Sequence, residues 1–207
     1  MNSITVFDMK NSLKVKTEND LPPHITFDQF KIIYDNLIGL DQIMWGLLWE
    51  TGGRISAVLS TRWKDINISK KQMTLLVQKK KKHTTIQIPL SNAMVNEIRN
   101  YSMHVKPSDE DYLFTTEHYN RQKSKSGRLS RQGAYLKIKE WGNKYIGFNI
   151  HPHMLRHGLA IYLLSNNIPL QVIAARLGHS NVFITQKSYL VITADVQRDM
   201  MKNILMR

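Results

Sequence analysis

From Ile43 to Glu50 the chain reads IMWGLLWE. Coiled as a helix, this segment puts apolar side chains nearly all the way round. It has no face to offer to water and is expected to be buried. Asp41 stands where a side-chain cap would begin this helix, and Gly52-Gly53 where it would stop. Ahead of it, Thr26 and Gln29 have capping-box spacing, and Ile25 and Phe30 are placed for a hydrophobic staple. A helix is expected from there to about Leu37, ended by Gly39.

The period changes only once. MTLLVQ and TTIQIPL, within residues 73–89, are rich in β-branched and apolar residues. They flank Lys79-Lys80-Lys81-Lys82-His83, which predicts a β-hairpin with a basic tip. Elsewhere the pattern is helical. Arg54 to Ser60 reads as a short helix, and Ser91 opens one through about Tyr101. Tyr112-Leu113-Phe114 is a short extended piece, and residues 117–128 form a basic polar loop. Ser130 caps a helix through about Lys144. Further helices are expected over 153–165, from Leu170 to Leu177, and from about Ala194 to Met206. The fold class is mainly α with one small antiparallel β-sheet, an α+β chain. Residues 1–24 lack a clear period, end in Leu21-Pro22-Pro23-His24, and read as an arm or linker.

The chain of 207 residues carries a net charge of +13. Such an excess points to a polyanionic partner, with nucleic acid ahead of an anionic membrane. No stretch approaches the roughly 20 apolar residues that span a bilayer, and the N-terminus lacks the apolar region of a signal peptide. Cysteine is absent, which excludes a disulfide framework and a thiolate metal site. The expected location is the cytoplasm, on DNA or RNA.

The last third carries the residues with chemistry. His153, Arg156, His179 and Tyr189 follow one another in HPHMLRHG, LGHS and QKSYL. A tyrosine after three basic or proton-transferring side chains suits covalent attack on a phosphate. A free phenol has a pKa near 10, so it needs positive surroundings or a base. Taken singly, each residue has a plainer use: Tyr189 as core, His179 as a helix-end histidine. His153 and Arg156 lie three apart, on one helical face. Arg54 follows Thr51-Gly52-Gly53, where glycines allow a tight turn and bring an anion close to the amides of a helix start. Arginine keeps its charge and grips phosphate bidentately. The lysine run is in most proteins a solvated turn; against a leaving oxygen, one of its ammonium groups would donate a proton. His153 and His157 form HxxxH without the glutamate of HExxH, and no acidic residue lies between Asn143 and Asp195. A two-metal nuclease needs carboxylates at its centre, so no metal is expected.

Four segments in order resemble the catalytic domain of the tyrosine recombinases, the phage-integrase family. They are TGGRISAVLSTRWKDIN, KKKKHTTIQIPLS, HPHMLRHGLAIYLL and LGHSNVFITQKSYL. The resemblance implies that fold, over residues 25–207. It implies a site-specific DNA recombinase or integrase that cuts and rejoins through a 3′-phosphotyrosine. Tyr189 is then the nucleophile. Arg54 and Arg156 clamp the phosphate, and His153 and His179 are the two family histidines. Counting back from Pro89, Lys81 fits the implied general acid best, with Lys80 or Lys79 as its alternatives. Lys79, Lys80 and Lys82, with Arg121, Lys123, Lys125, Arg128 and Arg131, are expected DNA contacts. Implied partners are double-stranded DNA, further copies of the chain as a homodimer or tetramer on DNA, and an accessory DNA-bending or directionality protein. Residues 191–207 would either dock on a neighbouring protomer or pack in cis on their own chain, and the chain would be nucleoid-associated, without cofactor.

Three departures stand out. Ala57 occupies a position that is often acidic in the family, the interval from His179 to Tyr189 is one residue longer than usual, and no separate N-terminal core-binding domain is expected. Two other activities fit the same scaffold: a DNA-binding regulator that has lost chemistry, and type IB topoisomerase-like relaxation of DNA.

Overall fold

A computed structural model describes residues 21–78, 83–116, 127–179 and 185. The apolar segment lies in helix α2, Gly39–Thr51, where Ile43, Met44, Trp45 and Leu47 are each 0% exposed. Burying side chains of this size contributes about 1.5–3 kcal/mol each. The residues around it come from α1 (Phe27–Asn36), α4 (Asn92–Val105) and α6 (Pro152–Ser165). Trp45 Nε1 donates to the Phe30 carbonyl at 3.0 Å, and the Phe30 and Trp49 rings stack with centroids 4.5 Å apart.

Helix α1 begins as expected. Thr26 accepts from the Gln29 amide, and the Gln29 side chain accepts in return from Thr26 N–H. The next boundary differs from the sequence reading. Gly39 does not end α1, which stops with Leu37 as its C-cap; it is instead the first residue of α2, at φ +59°. Asp41 does not cap α2. The N-cap is Ile38, with no side-chain bond, and Asp41 in the first turn pairs with Lys137 at 3.1 Å. A helix held by burial on all sides draws its stability from packing, so a cap is dispensable.

Beyond α2 come α3 (Ile55–Leu59), a 3₁₀ turn at Trp63–Asp65 and three strands: β1 (Ile66–Asn67), β2 (Gln72–Gln78) and β3 (His83–Pro89). They form one antiparallel sheet in the order β1-β2-β3. Met73, Leu75 and Val77 turn inward and Leu76 outward, the two-residue alternation of a half-buried strand. Pairing runs from Gln72↔Pro89 to Gln78↔His83. His83 therefore belongs to β3, not to the tip, because it has a cross-strand partner. The two-residue β1 escaped the sequence reading; nothing that short carries a period.

The remaining helices are α5 (Arg131–Ile146), capped by Ser130 through the Gly133 amide, and α7 (Leu170–Arg176). Helix α4 extends past its expected end to Val105, where Lys106 takes a left-handed cap conformation at φ +44°. One glycine sets how close α6 sits. A Cβ at Gly158 would collide with the Ile25 carbonyl oxygen, a backbone atom that cannot step aside. This approach lays the first turns of α6 over the end of α2.

Candidate active site

Helix α2 ends at Gly52, whose φ of +57° is the left-handed stop that glycine adopts without strain. Its carbonyl accepts from Arg156 Nη1 of α6 at 2.5 Å. Arg156 is buried, 6% exposed. Its Nη2 donates to the Leu177 carbonyl at 2.8 Å, just past α7, and lies 2.6 Å from His179 Nε2. One guanidinium therefore gathers the end of α2, the end of α7 and His179. Buried charge is tolerated only with such hydrogen bonds.

Within the glycine turn the Gly53 amide is engaged by Thr51 Oγ1 at 2.9 Å, and Thr51 itself donates to Leu47 O at 2.6 Å. The turn offers the exposed side chain of Arg54, the N-cap of α3, rather than the Gly53 amide.

His153 stands one turn before Arg156 and is exposed, while His157, one turn after His153, is half-buried. Their rings are 6.4 Å apart, as are those of His151 and His153. Desolvation, then the charges of Arg156, His151, Arg54 and Arg131, hold His153 below the usual histidine range. His157 is pushed down to about 4, by burial first and then by His153 and Arg156. His179 is also pushed down to about 4, by burial, then Arg156, Arg54 and His157. Among the described residues, the charges that lower these three rings are those of arginines and histidines, and a cluster of this kind favours an incoming anion.

Arg54, His153, Arg156 and His179 are thus brought together. Arg131 joins them: it begins α5, its charge reaches His153, and with Tyr135, His151 and His153 it lines a cavity of about 370 Å³. Arg128 sits elsewhere, at the bridge Thr115↔Arg128, with its guanidinium 5.7 Å from the Tyr112 ring. Tyr189, Lys81, the other hairpin lysines Lys79, Lys80 and Lys82, and Arg121, Lys123 and Lys125 lie outside the described residues, as does 191–207. Sequence reasoning missed two residues of the site. Thr185, 0% exposed, places Oγ1 2.7 Å from His179 Nδ1. His151 is the N-cap of α6 with no side-chain cap bond. Among the described residues, no three His, Asp or Glu side chains come together as a metal-holding group.

The phage integrase family model matches residues 23–194. The chain belongs to the phage integrase family. It is 31% identical over 174 residues to tyrosine recombinase XerA of Pyrococcus horikoshii, an alignment covering 83% of this chain and 58% of that protein. To tyrosine recombinase XerD of Staphylococcus epidermidis it is 30% identical over 147 residues, 70% of this chain and 48% of the relative. This integrase-family chain therefore spans about half the length of the curated relatives it matches. Its fold matches the crystal structure of XerA recombinase with a TM-score of 0.70 at 21% identity, over 88% of this chain and 65% of that one. It also matches the Tn1549 transposon integrase in complex with transposon right end DNA, at TM-score 0.65 and 19% identity, over 96% and 70% of the two chains.

Proposed function

We propose that this chain is the catalytic part, residues 25–207, of a site-specific DNA recombinase that cleaves and rejoins strands through a covalent tyrosine. The observation that carries the reading is the gathering of two arginines and two histidines, Arg54, Arg156, His153 and His179, with Arg156 2.6 Å from His179. A pentacoordinate phosphorane gains negative charge on its way from the phosphodiester, and fixed donors aimed at that charge lower the barrier. Tyr189 Oη attacks phosphorus, and the bond to the 5′-oxygen breaks. Lys81 gives its proton to that oxygen, leaving a 3′-phosphotyrosine and a 5′-hydroxyl. His153, held below the usual histidine range by burial first and then by its cationic neighbours, is suited to take the proton of the phenol. Attack by a 5′-hydroxyl of a second strand reverses the step, and the phosphoester link is conserved, so the chemistry needs no nucleotide hydrolysis.

On this reading the partner is double-stranded DNA. Lys79, Lys80, Lys82, Arg121, Lys123, Lys125, Arg128 and Arg131 supply phosphate contacts. Residues 1–24 are an arm. The working unit is a homodimer or tetramer on DNA in the cytoplasm at the nucleoid, joined through residues 191–207 and assisted by a DNA-bending or directionality protein. The DNA-bound Tn1549 integrase, a neighbour in fold, supports the choice of partner.

The test uses a pool of nicked suicide duplexes with randomised sequence and a denaturing gel. Wild type is expected to form a covalent DNA adduct that Tyr189→Phe does not. An adduct that survives in the Tyr189→Phe variant overturns the nucleophile. No adduct from wild type under conditions where it retains DNA overturns the enzyme.

A further inference from the structure

A guanidinium has five N–H donors and no acceptor. Arg156 Nη2, 2.6 Å from His179 Nε2, can only donate, so Nε2 must present its lone pair. The neutral ring then carries its proton on Nδ1. Among the described residues, that proton points to Thr185 Oγ1 at 2.7 Å, which accepts it. The opposite arrangement, with Thr185 donating to Nδ1, would put an Nε2–H against an Arg156 N–H. An imidazolium would do the same. Thr185 is 0% exposed, so water does not compete for its hydroxyl.

We infer that Thr185 is a positioning residue for His179, holding the imidazole in its Nδ1–H tautomer and turning Nε2 toward Arg156 and the phosphate site. The inference rests on the strand-cleavage reading for its consequence in catalysis, though not for the tautomer itself. Which ring nitrogen carries the proton is set by what the other nitrogen meets. When a phosphate oxygen arrives, it replaces Nε2 as the acceptor for Arg156, and Nε2 takes up a proton from solvent and becomes a second donor to the anion. Nδ1–H keeps its bond to Thr185 in both protonation states. The ring therefore has one orientation before and after the charge changes. Thr185 also lies four residues before Tyr189, so the same short segment that carries the nucleophile fixes the histidine.

The experiment compares wild type, Thr185→Val (same shape, no acceptor) and Thr185→Ser (acceptor kept). Long-range ¹⁵N–¹H correlation at pH 7 reads the tautomer in the ¹⁵N-histidine-labelled full chain, with His179 among its eight histidines identified by the resonance missing in His179→Gln. Wild type and Thr185→Ser are expected to carry the proton on Nδ1, and Thr185→Val to lose that preference. Covalent adduct formation on the nicked duplex pool should slow about 10- to 100-fold in Thr185→Val, the range for residues that orient a reacting ligand. DNA retention should stay unchanged and Thr185→Ser should cleave at close to the wild-type rate. A wild-type His179 protonated on Nε2 overturns the inference even if the valine variant does not fold. So does a valine variant with the wild-type tautomer and rate. If wild type forms no adduct at all, the cleavage reading fails, and the tautomer measurement still decides the role of Thr185.

Discussion

Arg156 Nη2 and His179 Nε2 face each other at 2.6 Å as donor and acceptor. In the free protein, then, the two residues that would both donate to a phosphate satisfy one another. An anion must break that contact, and doing so makes protonation of His179 favourable. Its pKa, about 4 without an anion, is expected to rise on binding DNA. Binding should therefore take up protons, and affinity should increase as pH falls from 7 toward 5. Calorimetric titration in buffers of different ionisation enthalpy reads the uptake directly. A binding enthalpy that is the same in every buffer contradicts the arrangement.

The same histidines set how stability depends on pH. His157 and His179 have pKa values near 4 in the folded chain against an ordinary 6.5. Between these values the unfolded chain binds more protons, so stability is present in full above about 6.5 and is lost as pH falls toward 4. Two protons give at most about 2.7 kcal/mol per pH unit, and solvent screening of half-buried rings reduces this to about half. Urea midpoints measured from pH 7 to 5 should fall. A flat profile counts against the burial of both rings.

The two arginines should separate by stability. Arg54 is exposed, and Arg54→Ala should move unfolding by less than about 0.5 kcal/mol. Arg156→Ala strands the Gly52 and Leu177 carbonyls, each a loss of about 1–3 kcal/mol when left unpaired. Both variants should lose strand cleavage; only the second should show a lower urea midpoint. Arg156→Lys should behave like Arg156→Ala in cleavage, because one ammonium cannot hold two carbonyls and His179 together. Equal midpoints for Arg54→Ala and Arg156→Ala would contradict the buried anchor.

What was legible in the sequence follows the range of the interactions. The capping box at Thr26, the alternation of Met73, Leu75 and Val77, and the Ser130 cap are local, and each element starts where its residues say. Four side chains of the site, Arg54, His153, Arg156 and His179, were also named from sequence, because phosphate chemistry restricts the residue types that can serve. What escaped is long-range. Asp41 resembles a cap until its partner Lys137, distant in sequence, is known. His83 looks like part of the basic tip until Gln78 pairs with it. Thr185 is one threonine among many, and only the His179 ring packed against it gives it a role. The Gly52 carbonyl has no sequence signal at all, being backbone.

The last prediction concerns the leaving oxygen. If Lys81 protonates it, Lys81→Ala should slow cleavage of ordinary DNA by about 10²- to 10⁴-fold, the usual contribution of general acid catalysis. Replacing the bridging 5′-oxygen with sulfur removes the need, because a thiolate leaves without being protonated. On the sulfur-bridged duplex, Lys81→Ala should therefore cleave nearly as fast as wild type. Arg54→Ala should stay slow on both, since its charge acts on the non-bridging oxygens whatever the leaving atom. Rescue by sulfur for Lys79→Ala, Lys80→Ala or Lys82→Ala instead would transfer the acid to that residue. A Lys81→Ala defect of equal size on oxygen and sulfur would remove Lys81 from the proton transfer and leave it a phosphate contact, recognisable by a shallower dependence of DNA affinity on salt.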